Sequence, residues 1–216
     1  MKTQILNLNT SFDRTGIIKH PTDNNVVRAD EVVALAGGKG IDIARVFKEL
    51  GYNNYIVSNI LGGSVGNLIE DKIKKENIKS WNFKIKKDSR INYAYVNETE
   101  NTTLMINEKG PLISDKEKNE YLEKLKDWLE KEAILVISGS ATTGFNENDI
   151  RSIIKIAESK DMYIVIDTSK EYLSGSLEGK IDLLKINKNE FAEQFKNYGY
   201  KFNNYKDYIC VIEKEK

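Results

Sequence analysis

Residues 36–45 read Ala-Gly-Gly-Lys-Gly-Ile-Asp-Ile-Ala-Arg and form the segment of the sequence best suited to binding a ligand. Glycines ahead of a helix let the backbone approach a ligand closely and direct free N–H groups towards it. Lys39 adds a positive charge. The segment suits a phosphate or a sugar hydroxyl, although a tight turn beside a solvated lysine explains it equally well. It has neither the GxxxxGK[ST] spacing of a P-loop nor the GxGxxG spacing of a dinucleotide site.

Three other segments carry groups that could complete such a site. Asp13 offers a carboxylate for a hydroxyl, Gly62 and Gly63 allow close approach, and Arg90 offers a guanidinium for phosphate. Each also has an ordinary structural explanation. Asp13 would be a turn residue, the glycines a loop, and Arg90 an edge-strand charge that discourages aggregation. For any one of these segments alone, the structural explanation is favoured.

The second half of the chain shows the periodicity of alternating helices and strands. Ser114 and Glu117 form a predicted capping box, with apolar residues at helical spacing behind it. Buried strands are predicted by a continuous apolar run at residues 133–137 and by three further segments rich in apolar residues, at 163–166, 182–186 and 208–212. This alternation predicts an α/β fold in which helices flank a parallel sheet.

Polar residues follow three of these predicted strands. They are Ser138 to Ser140, Asp167, and Lys185 to Asn187. In open parallel sheets, ligands bind outside the carboxyl ends of the strands. We therefore expect these residues to line one edge of the sheet together.

The first half of the chain is more mixed. Residues 4–9 and 55–60 read as strands, and Gly38-Lys39-Gly40 opens a predicted helix. Segments 26–33, 91–96 and 102–106 alternate between apolar and polar residues, with no helix of their own between them. They predict a small antiparallel sheet that projects from the main one.

Composition excludes several other functions. The 33 basic and 33 acidic residues cancel, so no global field attracts nucleic acid or an anionic membrane. A single cysteine, Cys210, rules out an internal disulfide, and a single histidine, His20, rules out multi-histidine metal sites. No apolar run approaches the roughly 20 residues of a membrane span, and the N-terminus does not resemble a signal peptide. We expect a soluble, cytoplasmic protein.

The order of the motifs resembles the PfkB branch of the ribokinase-like sugar kinases, and within it the 1-phosphofructokinase and tagatose-6-phosphate kinase group. Matching segments run collinearly through the whole chain, which is far more specific than any one motif. They are residues 9–14, 37–41, 50–51, 61–63, 89–92, 108–111, 138–140, 166–169 and 185–190. The resemblance implies a ribokinase-like fold with a β lid whose strands lie within about residues 14–33 and 90–107.

The resemblance also implies a site for a phosphorylated ketohexose, either fructose 1-phosphate or tagatose 6-phosphate. In such a site Asp13 holds sugar hydroxyls, the turn at Gly37, Gly38 and Lys39 packs against the sugar, and Arg90 with Lys39 anchors its phosphate. The remaining substrate-site positions implied by the resemblance are Asp42, Ser138 and Ser140.

Catalysis in the family uses ATP and Mg²⁺. Lys185, Asn187 and Glu190 match its Asn-x-x-Glu segment, which implies contacts with the nucleotide phosphates and, at Glu190, with magnesium; a first-turn acid that complements the helix dipole is the structural alternative for Glu190. The lid covers the sugar and often pairs with a second subunit, which implies a homodimer.

Two features of this sequence depart from the family pattern. Asp42 replaces the usual asparagine, and a carboxylate near a phosphorylated ligand is unfavourable unless Lys39 or Arg90 compensates it. The catalytic aspartate of the family lies in a Gly-Ala-Gly-Asp segment that does not occur before Lys216. We therefore expect a C-terminally truncated kinase domain, without a catalytic residue of its own and inactive. The alternative is a non-catalytic module that binds sugar phosphates.

Overall fold

The structure is a computed structural model that describes residues 1–19 and 26–196. His20, Cys210 and the strand predicted at residues 208–212 lie outside the described residues. None of the helices in the described ranges is long and apolar enough to cross a membrane.

A six-stranded parallel sheet forms the centre of the fold. Strands are numbered in chain order, and the six of this sheet are β1 (Thr3–Asn7), β4 (Tyr55–Gly62), β5 (Ser80–Ile85), β8 (Ile134–Ser138), β9 (Tyr163–Asp167) and β10 (Leu183–Leu184). They lie in the order β10-β9-β8-β1-β4-β5, and every neighbouring pair is parallel. The parallel sheet predicted from the alternating pattern is confirmed. Because β1 lies in the middle, residues that follow it are at the centre of the carboxyl edge.

Helices cover both faces of this sheet. They are α1 (Lys39–Glu49), α2 (Gly63–Lys75), α3 (Asp115–Trp128), α4 (Glu147–Glu158), α5 (Lys170–Leu177) and α6 (Lys188–Lys196). Helices α1 and α2 pack Ile41 and Ile69 into the core on one face, and α3, α4 and α5 build the core on the other face around Tyr121 and Ile153. The capping box predicted at Ser114 is present.

The second sheet differs from the prediction in two ways. Its strands are β2 (Ser11–Ile18), β3 (Glu31–Gly37), β6 (Arg90–Asn97) and β7 (Thr102–Asn107), in the order β3-β2-β6-β7. The sheet is mixed rather than antiparallel throughout, because β2 and β6 pair in parallel while β3 and β7 pair antiparallel with β2 and β6. The strand predicted at residues 26–33 instead begins at Glu31, and β2 was not among the alternating segments, although it overlaps the range 14–33 that the family resemblance implied for lid strands.

The register of the second sheet gathers the candidate site. Ser11 at the start of β2 pairs with Gly37 at the end of β3 on one side and with Arg90 at the start of β6 on the other. Gly37 leads directly into α1. One row of the sheet therefore sets the glycine turn and Arg90 on either side of the chain that leaves β1.

Candidate functional site

The carboxyl ends of β8 and β9 meet at Asp167. Ser138 Oγ donates to Asp167 Oδ2 at 3.1 Å, and the ammonium groups of Lys39 and Lys185 each lie 3.2 Å from Asp167 Oδ1. The expected gathering of Ser138, Asp167 and Lys185 at one edge of the sheet is confirmed. It also brings Lys39, from the start of α1, to the same carboxylate.

The surroundings of Asp167 determine its charge. Burial acts to raise the pKa of Asp167, but the hydrogen bonds from Lys185, Lys39 and Ser138 outweigh burial, and the pKa lies below the ordinary value of 3.8. The carboxylate is therefore ionised at neutral pH and offsets part of the positive charge of the two lysines.

This lowered pKa predicts how stability depends on pH. The folded protein binds fewer protons at Asp167 than the unfolded chain does, so the carboxylate stabilises the fold above about pH 4. That contribution is lost as the pH falls through the lowered pKa. We expect the difference in free energy of unfolding between the wild type and Asp167→Asn to shrink as the pH falls below 3.8. Urea unfolding at a series of pH values measures it, and a difference that is constant with pH would contradict the assignment.

The glycine turn fits closely against β1. Gly38 has a φ of 111°, which is strained for any residue with a side chain. A Cβ on Gly38 would lie 2.4 Å from Asn7 Oδ1, and one on Gly40 would lie 2.6 Å from the Cβ of Asn7. Glycine is needed at both positions because the turn touches the last residue of β1.

Arg90 points back across the start of β2. Its Nη2 donates to the carbonyl of Asn9 at 3.0 Å, and its Nη1 donates to the carbonyl of Glu108 at 3.4 Å. Burial lowers the pKa of Arg90, while the charge of Asp13 acts against that shift. Its Nε is buried and has no hydrogen-bond partner among the described residues. Two neutral carbonyls thus hold a partly buried guanidinium that forms no ion pair with a carboxylate in residues 1–19 and 26–196.

A cavity of about 150 Å³ lies between these groups. Its lining residues are Asn7, Asn9, Gly38, Lys39, Arg90, Gly139 and Ser140. Sequence reasoning predicted Gly38, Lys39, Arg90 and Ser140 as site residues, and the fold brings all four together. The sequence analysis missed Asn7 and Asn9. Their signal was a polar side chain at the end of an apolar strand and another just after it. The cavity has two cations, amide groups and a hydroxyl, which suit a phosphorylated polyol.

Asp13 is close to this cavity but does not line it. Its Oδ1 accepts hydrogen bonds from Ser11 Oγ at 2.7 Å and from Asn92 Nδ2 at 2.8 Å. The carboxylate lies against Gly37, where a Cβ would be 2.1 Å from Asp13 Oδ2. It opens into a separate cavity of about 120 Å³ on the second sheet.

Asp42 lies in a larger cavity of about 480 Å³, together with Lys39, Ser138, Asp167 and Lys185. Burial raises the pKa of Asp42, and Arg45 opposes that shift. Arg45 Nη1 donates to Asp42 Oδ1 at 2.9 Å and also pairs with Glu76. Sequence reasoning assigned compensation of Asp42 to Lys39 or Arg90, but in the structure Arg45 is its direct partner.

The Asn-x-x-Glu segment begins α6 with a capping box. Asn187 Oδ1 accepts from Glu190 N at 2.9 Å, and Glu190 Oε2 accepts from Asn187 N at the same distance. No group of three histidine, cysteine or acidic residues that could hold a metal occurs in residues 1–19 and 26–196. A magnesium ion at Glu190 would have a single protein carboxylate there, with phosphate oxygens and waters as its other ligands.

Sequence comparison identifies relatives along nearly all of the chain. Residues 8–209 match the family model described as pfkB family carbohydrate kinase. The chain is 33% identical over 199 residues to tagatose-6-phosphate kinase of Staphylococcus epidermidis, which covers 89% of this chain and 62% of that protein. The chain thus spans about three fifths of the length of that relative.

Solved structures share the fold. Phosphofructokinase-2 from Escherichia coli, in a tetrameric inhibited form, superposes with a TM-score of 0.88 at 24% identity, over 99% of this chain and 69% of that one. A Thermotoga maritima protein described as a possible 1-phosphofructokinase gives 0.81 at 21% identity, over 100% of this chain and 68% of that one. The family match, the relative and the fold agree. The chain belongs to the pfkB family of carbohydrate kinases.

Proposed function

We propose that this protein transfers phosphate from ATP to a ketohexose phosphate, either fructose 1-phosphate or tagatose 6-phosphate, and that the present chain supplies the sugar-phosphate site. The proposal depends on one observation above all. Lys39 and Arg90, which come from different elements, line one small cavity beside the glycine turn and Ser140. Two cations that face amides and a hydroxyl match one phosphate and several sugar hydroxyls.

Each side chain has a distinct role in this proposal. Arg90 and Lys39 hold the existing phosphate of the sugar, and the turn at Gly37 and Gly38 lets the backbone contact the ring. Asp13, already an acceptor for two neighbouring donors, accepts from a sugar hydroxyl as well. Ser138 and Ser140 form the floor, and Asp42 borders the site from the larger cavity.

ATP supplies the phosphoryl group, and Mg²⁺ neutralises its charge. In this proposal Lys185 and Asn187 contact the nucleotide phosphates at the carboxyl edge, and Glu190 positions the metal. The 216 residues contain no Gly-Ala-Gly-Asp segment, which is where the family resemblance places the base for the sugar hydroxyl. We therefore propose that these residues bind sugar phosphate without transferring phosphate by themselves.

Calorimetry tests both parts of this proposal. The 216-residue chain is titrated with fructose 1-phosphate, tagatose 6-phosphate and, as a control, unphosphorylated fructose. We expect saturable binding of one ketohexose phosphate and none of fructose, because the cavity binds through its two cations. If neither phosphorylated sugar binds, the proposed site is wrong. If the chain forms a bisphosphate when it is incubated with Mg-ATP and the sugar phosphate, the proposed absence of turnover is wrong. A cytoplasmic location stays a prediction.

The second sheet supports a further part of the proposal, a homodimer formed through this lid. Apolar side chains are exposed on it at Val32, Leu35, Leu104, Met105 and Ile106. Exposed apolar side chains of this kind are typical of an interaction surface.

Substitution on β7 tests the dimer. Leu104 is 60% exposed, so Leu104→Asp leaves the core intact but places a charge within the interface. We expect the dimer to weaken by at least about tenfold in analytical ultracentrifugation. The matched control is Leu68→Asp on α2, where Leu68 is 50% exposed. Equal effects of the two substitutions, or a monomeric wild type, would exclude the lid as the interface.

A further inference from the structure

A row of asparagine side chains crosses the main sheet beneath the glycine turn. Asn7 on β1, Asn59 on β4 and Asn82 on β5 are register partners on three adjacent strands. Asn7 Nδ2 donates to Asn59 Oδ1 at 3.0 Å, and Asn59 Nδ2 donates to Asn82 Oδ1 at 3.1 Å. Asn7 is 2% exposed and Asn59 is fully buried. These three residues are called the asparagine row below.

The outer end of the row is fixed at the protein surface. Asn82 Nδ2 donates to Glu70 Oε1 on α2 at 3.3 Å, and Lys84 Nζ lies 2.6 Å from Glu70 Oε2. The hydrogen bond from Lys84 is the main cause that lowers the pKa of Glu70, so the carboxylate accepts from Asn82 as a charged group. The row therefore has a defined donor and acceptor at each link.

The inner end of the row supports the glycine turn. Asn7 contacts Gly38 and Gly40 so closely that neither could carry a Cβ without moving this side chain. Asn7 Nδ2 also lies 3.3 Å from Thr10 Oγ1. The orientation of the Asn7 amide thus decides where the turn lies, and its shortest hydrogen bond is the one to Asn59.

Burying the amides of Asn7 and Asn59 has an energetic cost that apolar residues would avoid. A buried amide is unfavourable unless its hydrogen bonds are made, and even then its net contribution to folding is small. Ile5 lies two residues from Asn7, and Val57 and Leu61 lie two residues from Asn59, so all three share the face of the asparagine row. They are buried and apolar. Amides replace them at the level where the sheet meets the turn, which suggests a role in the site rather than in core packing.

We propose that Asn59 is a positioning residue for sugar-phosphate binding. Asn59 lines none of the described cavities. It acts by holding the Asn7 amide, which in turn supports the backbone of Gly38 and Lys39 at the edge of the ligand cavity. The inference rests on the proposed function for the identity of the ligand, while its effect on the turn is independent of any ligand.

The test compares Asn59→Ala with a control on the same strand. Ser58 is also fully buried, but it lies on the opposite face, where its hydroxyl bonds Tyr121 at 3.0 Å. Ser58→Ala therefore removes a buried hydrogen bond without touching the row. Calorimetry with the ketohexose phosphate that the wild type binds gives the affinity. Amide hydrogen exchange at residues 38–41, relative to Val57 and Leu135, reports the rigidity of the turn.

We expect Asn59→Ala to weaken binding by about tenfold, the effect of one supporting hydrogen bond, and to speed exchange at residues 38–41. Ser58→Ala should change neither. Unchanged affinity and exchange in folded Asn59→Ala overturn the inference. A wild type that binds no ketohexose phosphate refutes the proposed function instead, and the exchange data still decide the role of Asn59. If Asn59→Ala does not fold, Asn82→Ala takes its place, because it breaks the next hydrogen bond of the asparagine row at a partly exposed position. Unchanged hydrogen exchange at residues 38–41 in Asn82→Ala would then overturn the inference.

Discussion

Arg90→Ala should weaken sugar-phosphate binding by about a hundredfold while leaving the fold intact. The guanidinium is desolvated, is held by two carbonyl oxygens and has a buried Nε without a partner in the described residues, so a phosphate would gain strong charge-assisted hydrogen bonds from it. Each such bond is worth roughly 1.5 to 3 kcal/mol. Loss of one or two of them gives the stated factor, which calorimetry with fructose 1-phosphate and tagatose 6-phosphate measures.

Two further variants make this result specific to the geometry of Arg90. Arg90→Lys keeps the charge but not the planar fork, so we expect it to recover only part of the affinity. Arg151→Ala removes an arginine that pairs with Glu178 on the surface and lines no described cavity, so it should bind as the wild type does. If Arg90→Ala and Arg151→Ala bind equally well, Arg90 does not hold the phosphate.

Gly38→Ala should destabilise the protein by about 2 to 6 kcal/mol and abolish measurable sugar-phosphate binding. Two costs add at this position. A φ of 111° is strained for alanine, by roughly 1 to 3 kcal/mol, and the new Cβ would press on the Asn7 amide at a further cost of about 1 to 3 kcal/mol. Urea unfolding gives the first quantity, and calorimetry gives the second.

Gly51→Ala separates these two costs. Gly51 follows the end of α1 with a φ of 71°, but a Cβ there would meet nothing within 4 Å. The substitution therefore carries the backbone strain without the close contact, and we expect about 1 kcal/mol with unchanged binding. Equal destabilisation by the two alanines would show that contact with Asn7 contributes nothing at Gly38.

The sequence predicted the main sheet well because local patterns determine its elements. Apolar runs that end in polar residues, such as the run before Ser138, identify both a buried strand and its carboxyl end. The rule that parallel strands share one edge then correctly brought Ser138, Asp167 and Lys185 together. Agreement is poorest for β10, which has two strand residues where five were predicted.

The second sheet was harder to predict because pairing between distant segments determines it. The parallel pairing of β2 and β6 joins residues about 80 positions apart, and no local pattern carries that information. The partner of Asp42 was missed for a different reason. Arg45 lies one turn along the same helix, at the i,i+3 spacing that favours an ion pair, but compensation was expected from the cations of the phosphate site, Lys39 and Arg90.

Lys39 lines both the cavity of about 150 Å³ and the cavity of about 480 Å³, and a single ammonium cannot serve both fully at once. A ligand that draws Lys39 towards Arg90 takes one of the two cations away from Asp167. Thermodynamic linkage makes this exchange reciprocal, so an anion in either compartment alters the affinity of the other compartment by the same factor. One lysine would then couple the affinities of the two compartments.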